Sequence, residues 1–177
     1  LENDTLPSKR LKNNPVTFTH GNTALRVTHK DHGMYNTSNN VTIAGVSSGL
    51  STTLSAAITS TATSLTLTSG TNFNNTTGKF AGTTDSTSRY YIKIDDEIMY
   101  YETISTTSVS DLVRAQEGTT AAAHAAGATV EFFQLHKVPL SQVNKTHTAI
   151  GNIDLDSYTI TLTSSPVFDG GSGSSAE

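Results

Sequence analysis

Tyr90-Tyr91-Ile92-Lys93-Ile94-Asp95-Asp96-Glu97-Ile98-Met99-Tyr100-Tyr101 is the stretch whose reading decides the fold. Two runs of aromatic and branched residues flank a pair of aspartates. Such residues suit a pleated surface, and a short polar pair between them suits a tight turn. The stretch therefore predicts a β-hairpin with Asp95-Asp96 at its tip. Tyr90 and Tyr91 then face Tyr100 and Tyr101 across the two strands.

The same alternation continues on both sides. Upstream, Val16-Thr17-Phe18-Thr19-His20 and Ala24-Leu25-Arg26-Val27-Thr28 alternate apolar and polar, with Leu25 and Val27 on one face. Residues 41–46 and 64–68 follow the pattern too. Downstream come residues 109–114, 128–135, 146–150 and 156–162, where Tyr158, Ile160 and Leu162 share a face. Period-two alternation marks half-buried strands. The glycines in His20-Gly21-Asn22 and His32-Gly33 read as turns, because glycine accepts positive φ. The Ala-rich run at 121–123 is too short for a stable helix. This pattern indicates an all-β fold of small sandwich or barrel modules with short strands.

Composition agrees. The 177-residue chain contains 31 Thr and 21 Ser, no Cys and no Trp. Threonine's branched Cβ suits extended backbone, and its hydroxyl keeps a solvent face wet with few charges. The missing cysteines exclude a disulfide scaffold, a zinc ribbon and a cysteine nucleophile. No apolar run is long enough to cross a bilayer as a helix, so no membrane insertion is expected. Eleven basic and fifteen acidic residues give a net charge of −4, which argues against a dedicated nucleic-acid binder. Residues 1–14 read as a flexible polar arm without a signal-peptide core, and residues 169–177 as a Gly/Ser-rich tail.

Two runs carry a resemblance. His32-Gly33-Met34-Tyr35-Asn36-Thr37-Ser38-Asn39-Asn40-Val41-Thr42-Ile43-Ala44-Gly45-Val46 resembles a motif of structural proteins in tailed bacteriophages, especially marine ones. In such modules a later segment is similar to Asn144-Lys145-Thr146-His147-Thr148 followed by residues 153–160. The segment between resembles a second phage module. It carries Ile92 to Tyr101, then Val113-Arg114-Ala115-Gln116-Glu117-Gly118-Thr119-Thr120-Ala121-Ala122-Ala123-His124. The family pattern there is R-G-x-x-G-T-x-A-x-x-H, and Ala115 stands where glycine is common. The resemblance covers most of residues 24–163. It implies a nested architecture, with an outer β module at 15–54 plus 138–168 and an inserted β module at 55–137.

Candidate chemistry is sparse. His29 and His32, with His20 nearby, could ligate a metal, but their spacing fits no standard zinc pattern. The expected role of His32 is a hydrogen bond to backbone near the Gly33 turn. Asp95 and Asp96, with Glu97, could hold Ca²⁺, but the favoured reading is a turn with solvated carboxylates. Arg114, Glu117, Gly118 and His124 read as a loop pinned by an Arg114–Glu117 pair and a His124–backbone bond. Tyr90, Tyr91, Tyr100 and Tyr101 could form a glycan platform or simply pack across strands. No phosphate loop, nucleophile elbow or dinucleotide fingerprint occurs.

These readings lead to a non-enzymatic, self-assembling structural protein without cofactor, in a virion or extracellular. A tail, baseplate or fibre component comes first. Its partners would be copies of itself or other structural proteins of the assembly. A filament subunit is the alternative, joined by an N-terminal donor strand in residues 15–23, with Val16, Phe18, Leu25 and Val27 as assembly residues. An adhesin module that binds surface glycans is the third.

Overall fold

The computed structural model describes residues 9–11, 14–38, 40–71, 73, 89–166 and 170–171. Its strands run β1 (Val16–Phe18), β2 (Ala24–Thr28), β3 (Val41–Thr42), β4 (Ser51–Thr53), β5 (Leu65–Thr66), β6 (Tyr90–Ile94), β7 (Glu97–Tyr101) and β8 (Thr103–Ser105). They continue as β9 (Ser108–Ser110), β10 (Thr129–Phe132), β11 (Gln134–Leu135), β12 (Val138–Pro139), β13 (Thr146–His147), β14 (Ser157–Thr161) and β15 (Gly170–Gly171). Leu140–Gln142 forms a 3-10 turn, and no α-helix occurs among the described residues. The protein is all-β.

Two four-stranded sheets, β14-β2-β1-β15 and β4-β10-β6-β7, carry most of the pairing. A three-stranded sheet, β5-β9-β8, and the pairs β11-β12 and β3-β13 complete it, and none of these sheets closes into a barrel. Alternation explains the first sheet. Leu25 and Val27 of β2 are buried while Arg26 and Thr28 are exposed. Register sets Val27 against Tyr158 and Leu25 against Ile160, so the apolar faces coincide.

Buried side chains fall into two clusters. One contains Val16, Phe18, Leu25 and Val27 from the start of the chain with Leu135, Val138, Tyr158 and Ile160 from its later part. The other lies between them in sequence, from Leu54 through Ile92, Met99 and Tyr101 to Phe132. The chain passes between the cores near residues 46–50 and 132–135, not at 54/55 and 137/138. Strand β4 pairs with β10, and Leu54 enters the second core, whereas Leu135 enters the first. At the crossing, Phe132 N–H donates to Leu50 O at 3.0 Å, and Ser48 Oγ donates to Phe132 O.

The start of the chain differs from the expected arm where it is described. Lys9 Nζ donates to Lys30 O at 2.7 Å, and Leu11 packs against the first core. Residues 16–18 are not a free donor strand either. Strand β1 lies between β2 and β15, with Val16 and Phe18 each 1% exposed in their own core. Leu25 and Val27 are equally buried, so none of the four is available as a knob for a neighbour. Most of residues 1–14 and 169–177 lies outside the described residues.

Candidate functional site

The hairpin of β6 and β7 places Ile94 opposite Glu97, leaving Asp95-Asp96 as the turn. Asp95 takes φ 51°, the left-handed region that aspartate tolerates better than most residues. Glu97 follows as the first residue of β7, on the same face as Met99 and Tyr101. Its side chain is 1% exposed. Burying a carboxylate this deeply is costly unless charge and hydrogen bonds compensate.

Compensation comes from two other segments. Arg114 Nε donates to Glu97 Oε1 at 2.8 Å and Nη2 to Oε2 at 2.6 Å, a bidentate pair. The backbone N–H groups of Ala115 and Ala122 donate at 3.1 and 3.0 Å. His124 Nε2 lies 2.9 Å from Glu97 Oε2, and its Nδ1 lies 2.7 Å from Asp95 Oδ2. A carboxylate only accepts, so each of these contacts is a hydrogen bond when the facing ring nitrogen carries a hydrogen. Burial pushes the Glu97 carboxyl up, but the Arg114 guanidinium and the other donors outweigh it and hold the group down at about 2.

The hub reaches further through its partners. Arg114 also donates to Thr59 O and Ala122 O, at 2.8 and 2.6 Å. The backbone of His124 pairs both ways with Ile58. Glu97 thus joins the hairpin, residues 58–59, residues 114–115 and residues 122–124. Five donors saturate its oxygens, which offer about four lone-pair sites. The hub's polar atoms are engaged with one another.

This arrangement corrects three expectations. Arg114 pairs with Glu97 rather than Glu117, whose Oε2 instead accepts from Ser141 Oγ at 3.0 Å. His124 bonds carboxylates through its ring, not backbone. Of the three acidic residues, Asp95 and Asp96 are exposed as expected, but Glu97 is not solvated. Gly118 (φ 81°) and Glu117 (φ 53°) shape the turn that leads back to the hub. Ala115, standing where the resembled pattern has glycine, takes φ 55°. That backbone is the reason glycine suits the position.

The other candidates are placed apart. The rings of His29 and His32 are 5.7 Å apart, with the His32 ring edge-on to Tyr158. Met34 N–H donates to His32 Nδ1 at 2.9 Å, leaving Nε2 to donate to Ser157 O at 3.3 Å. Gly33 (φ 67°) makes that turn. No group of three or more His, Asp or Glu residues that could hold a metal occurs among the described residues. Tyr90 stacks on Tyr101 at 5.2 Å, and Tyr91 meets Tyr100 edge-on at 5.7 Å. Tyr100 and Tyr101 are buried, and Tyr101 Oη donates to Phe73 O, so neither can serve as a glycan platform. Burial pushes the Tyr101 hydroxyl far above its ordinary value.

Several structural polar residues were not foreseen. The Asn144 amide clamps Val46, accepting from its N–H at 3.0 Å and donating to its carbonyl at 2.8 Å. Gln142 Oε1 accepts from Thr163 and Ser164 N–H, and Gln134 Oε1 from Tyr91 N–H. The signal for both glutamines was their position inside apolar runs, where an amide must find backbone partners. No family model matches the chain, and neither a curated protein nor a solved structure matches it.

Proposed function

We propose that this chain is a non-enzymatic structural β module that self-assembles within a virion, as part of a tail, baseplate or fibre. The observation that carries the reading is where the resembling runs meet. Residues 41–46 and 144–148, far apart in sequence, meet as the pair β3-β13, with Thr42 against Thr146 and Val41 against His147. The Asn144 clamp on Val46 closes that junction. The second resembling run, 113–124, supplies the arginine, backbone donors and histidine of the Glu97 hub. Both signatures therefore serve construction, which is what a structural module requires of its most distinctive residues.

The burial of Val16 and Phe18 weighs against a filament joined by N-terminal donation, and that of Tyr100 and Tyr101 against a tyrosine platform for glycans. Partners of the proposed kind are copies of the chain or neighbouring structural proteins. Peptide mass spectrometry of purified particles tests the proposal. The chain should be present at a fixed stoichiometry to known particle components. Recovery only as a free monomer from the cell lysate would sink it.

A further inference from the structure

Three large apolar side chains are exposed among the described residues: Tyr35 at 92%, Leu155 at 78% and Val113 at 39%. The two most exposed belong to neighbouring loops. The loop after β2 is tied to the loop before β14 at two places. At the first, His29 N–H donates to Asp156 O at 2.8 Å, Asp31 N–H to Asp156 Oδ1 at 3.2 Å, and His32 Nε2 to Ser157 O. At the second, Ile150 N–H donates to Thr37 O at 3.0 Å. Tyr35 and Leu155 lie between these ties, one on each loop. Both loops are also held from within. Met34, beside Tyr35, is buried in the first core, and Ile153 packs against that core. Asp154 accepts from Asp156 N–H and Ser157 Oγ at 2.9 and 2.8 Å. A lone exposed apolar residue is ordinary. Two presented together on braced loops suit a contact, because little order remains to be lost on docking.

We propose that these two loops form an assembly surface whose occupant is the same surface of a second copy, with Tyr35 of each copy against Leu155 of the other. This inference rests on the self-assembling reading above and names one of its contacts. Charge selects the occupant. Lys9, Arg26 and Lys30 lie on or against the two loops together with Asp31, Asp154 and Asp156, so cations and carboxylates balance there. The whole chain carries eleven basic and fifteen acidic residues. A copy approaching a face of average composition therefore meets like charge, whereas at this end both signs are offered equally. A strongly acidic or basic partner would set half of these groups against their own sign. A twofold contact makes every cross pair twice. Laying residues 29–35 of one copy on residues 150–156 of the other brings Lys30 toward Asp154 and Asp156, and Tyr35 onto Leu155, on both sides of the axis.

The chain has no cysteine, which makes a clean reporter available. Tyr35→Cys and Leu155→Cys are made in separate full-length chains, mixed in equal amounts, oxidised and read by intact mass. The mixed disulfide dimer should exceed its statistical share over the two like-with-like dimers. Thr61→Cys, at an exposed position on the other core's side of the chain, is the control and should crosslink to neither above that share. In sedimentation over a concentration series, the Tyr35→Ser, Leu155→Ser double variant should self-associate about tenfold or more weakly than the unsubstituted chain. Both positions are exposed, so circular dichroism and melting should be kept. Three results overturn the proposal. These are a statistical mixture of disulfides, self-association unchanged in the double variant, and an unsubstituted chain that stays monomeric throughout the series. Unchanged self-association would leave the virion reading standing. Absence from particles would end that reading even if mixed crosslinks form.

Discussion

Glu97 is the residue that ties the β6–β7 hairpin to residues 114–115 and 122–124. Replacing it with Gln removes the charge but keeps the shape, leaving Arg114 and His124 without their central acceptor. The expected loss is about 3–5 kcal/mol of stability, read by urea unfolding, because a buried ion pair broken on one side leaves an uncompensated charge. The acid response follows from the same carboxyl. Its folded value of about 2 lies below the ordinary 4.5. The ionised form is therefore favoured by folding. That contribution is fully present above pH 4.5 and is lost as pH falls through about 2. The gap corresponds to about 3 kcal/mol, and the slope over that window should largely disappear in Glu97→Gln. Ala115 offers the opposite sign. A β-carbon at φ 55° costs about 1–2 kcal/mol, partly offset by the entropy that glycine adds to the unfolded chain. Ala115→Gly should raise stability by about 0.5–1 kcal/mol, seen as a higher melting temperature. In the sequence, Arg114 and His124 were legible as loop-fixing residues, but their partner was not. Glu97 sits beside two turn aspartates and reads like them. Only the fold shows that its side chain turns inward, toward an arginine seventeen positions away.

Among the elements, the β6–β7 hairpin was the most legible, because alternation and a two-residue polar turn specify it locally. The β3-β13 pair was not. Each strand has only two residues, and their meeting is set by the Asn144 amide and not by hydrophobic period. Asn144→Asp keeps the acceptor for Val46 N–H but sets an anion against Val46 O, which is left without its donor. A loss of about 1–3 kcal/mol is expected by denaturant unfolding. Expected strands also end early where the backbone turns. Asp111 at φ 54° halts β9 at Ser110, and Val113 resumes pairing only as a bridge to Tyr100. Gly70 marks a close approach of a different kind. A Cβ there would fall 1.7 Å from Thr106 O, on backbone that cannot yield cheaply. Gly70→Ala should cost about 2 kcal/mol or more, measured by thermal unfolding, since relief requires the β8–β9 turn to move.

At the scale of the molecule, two cores alternate along one chain. Alternation gave the strands. It did not locate the crossing, because the Ser48 hydroxyl and the Leu50–Phe132 backbone bond that join it leave no periodic trace. The hydrogen bond from Phe132 to Leu50 holds the two crossings together. A polar, Thr-rich exterior over two small cores suits the proposed role of a part built into something larger. The most direct measurement is a cryo-EM reconstruction of the native particle. Density for the two-core fold, repeated at symmetry-related positions and in contact with neighbouring chains, is the expected result. A particle complete at side-chain resolution with no density for this fold would contradict it.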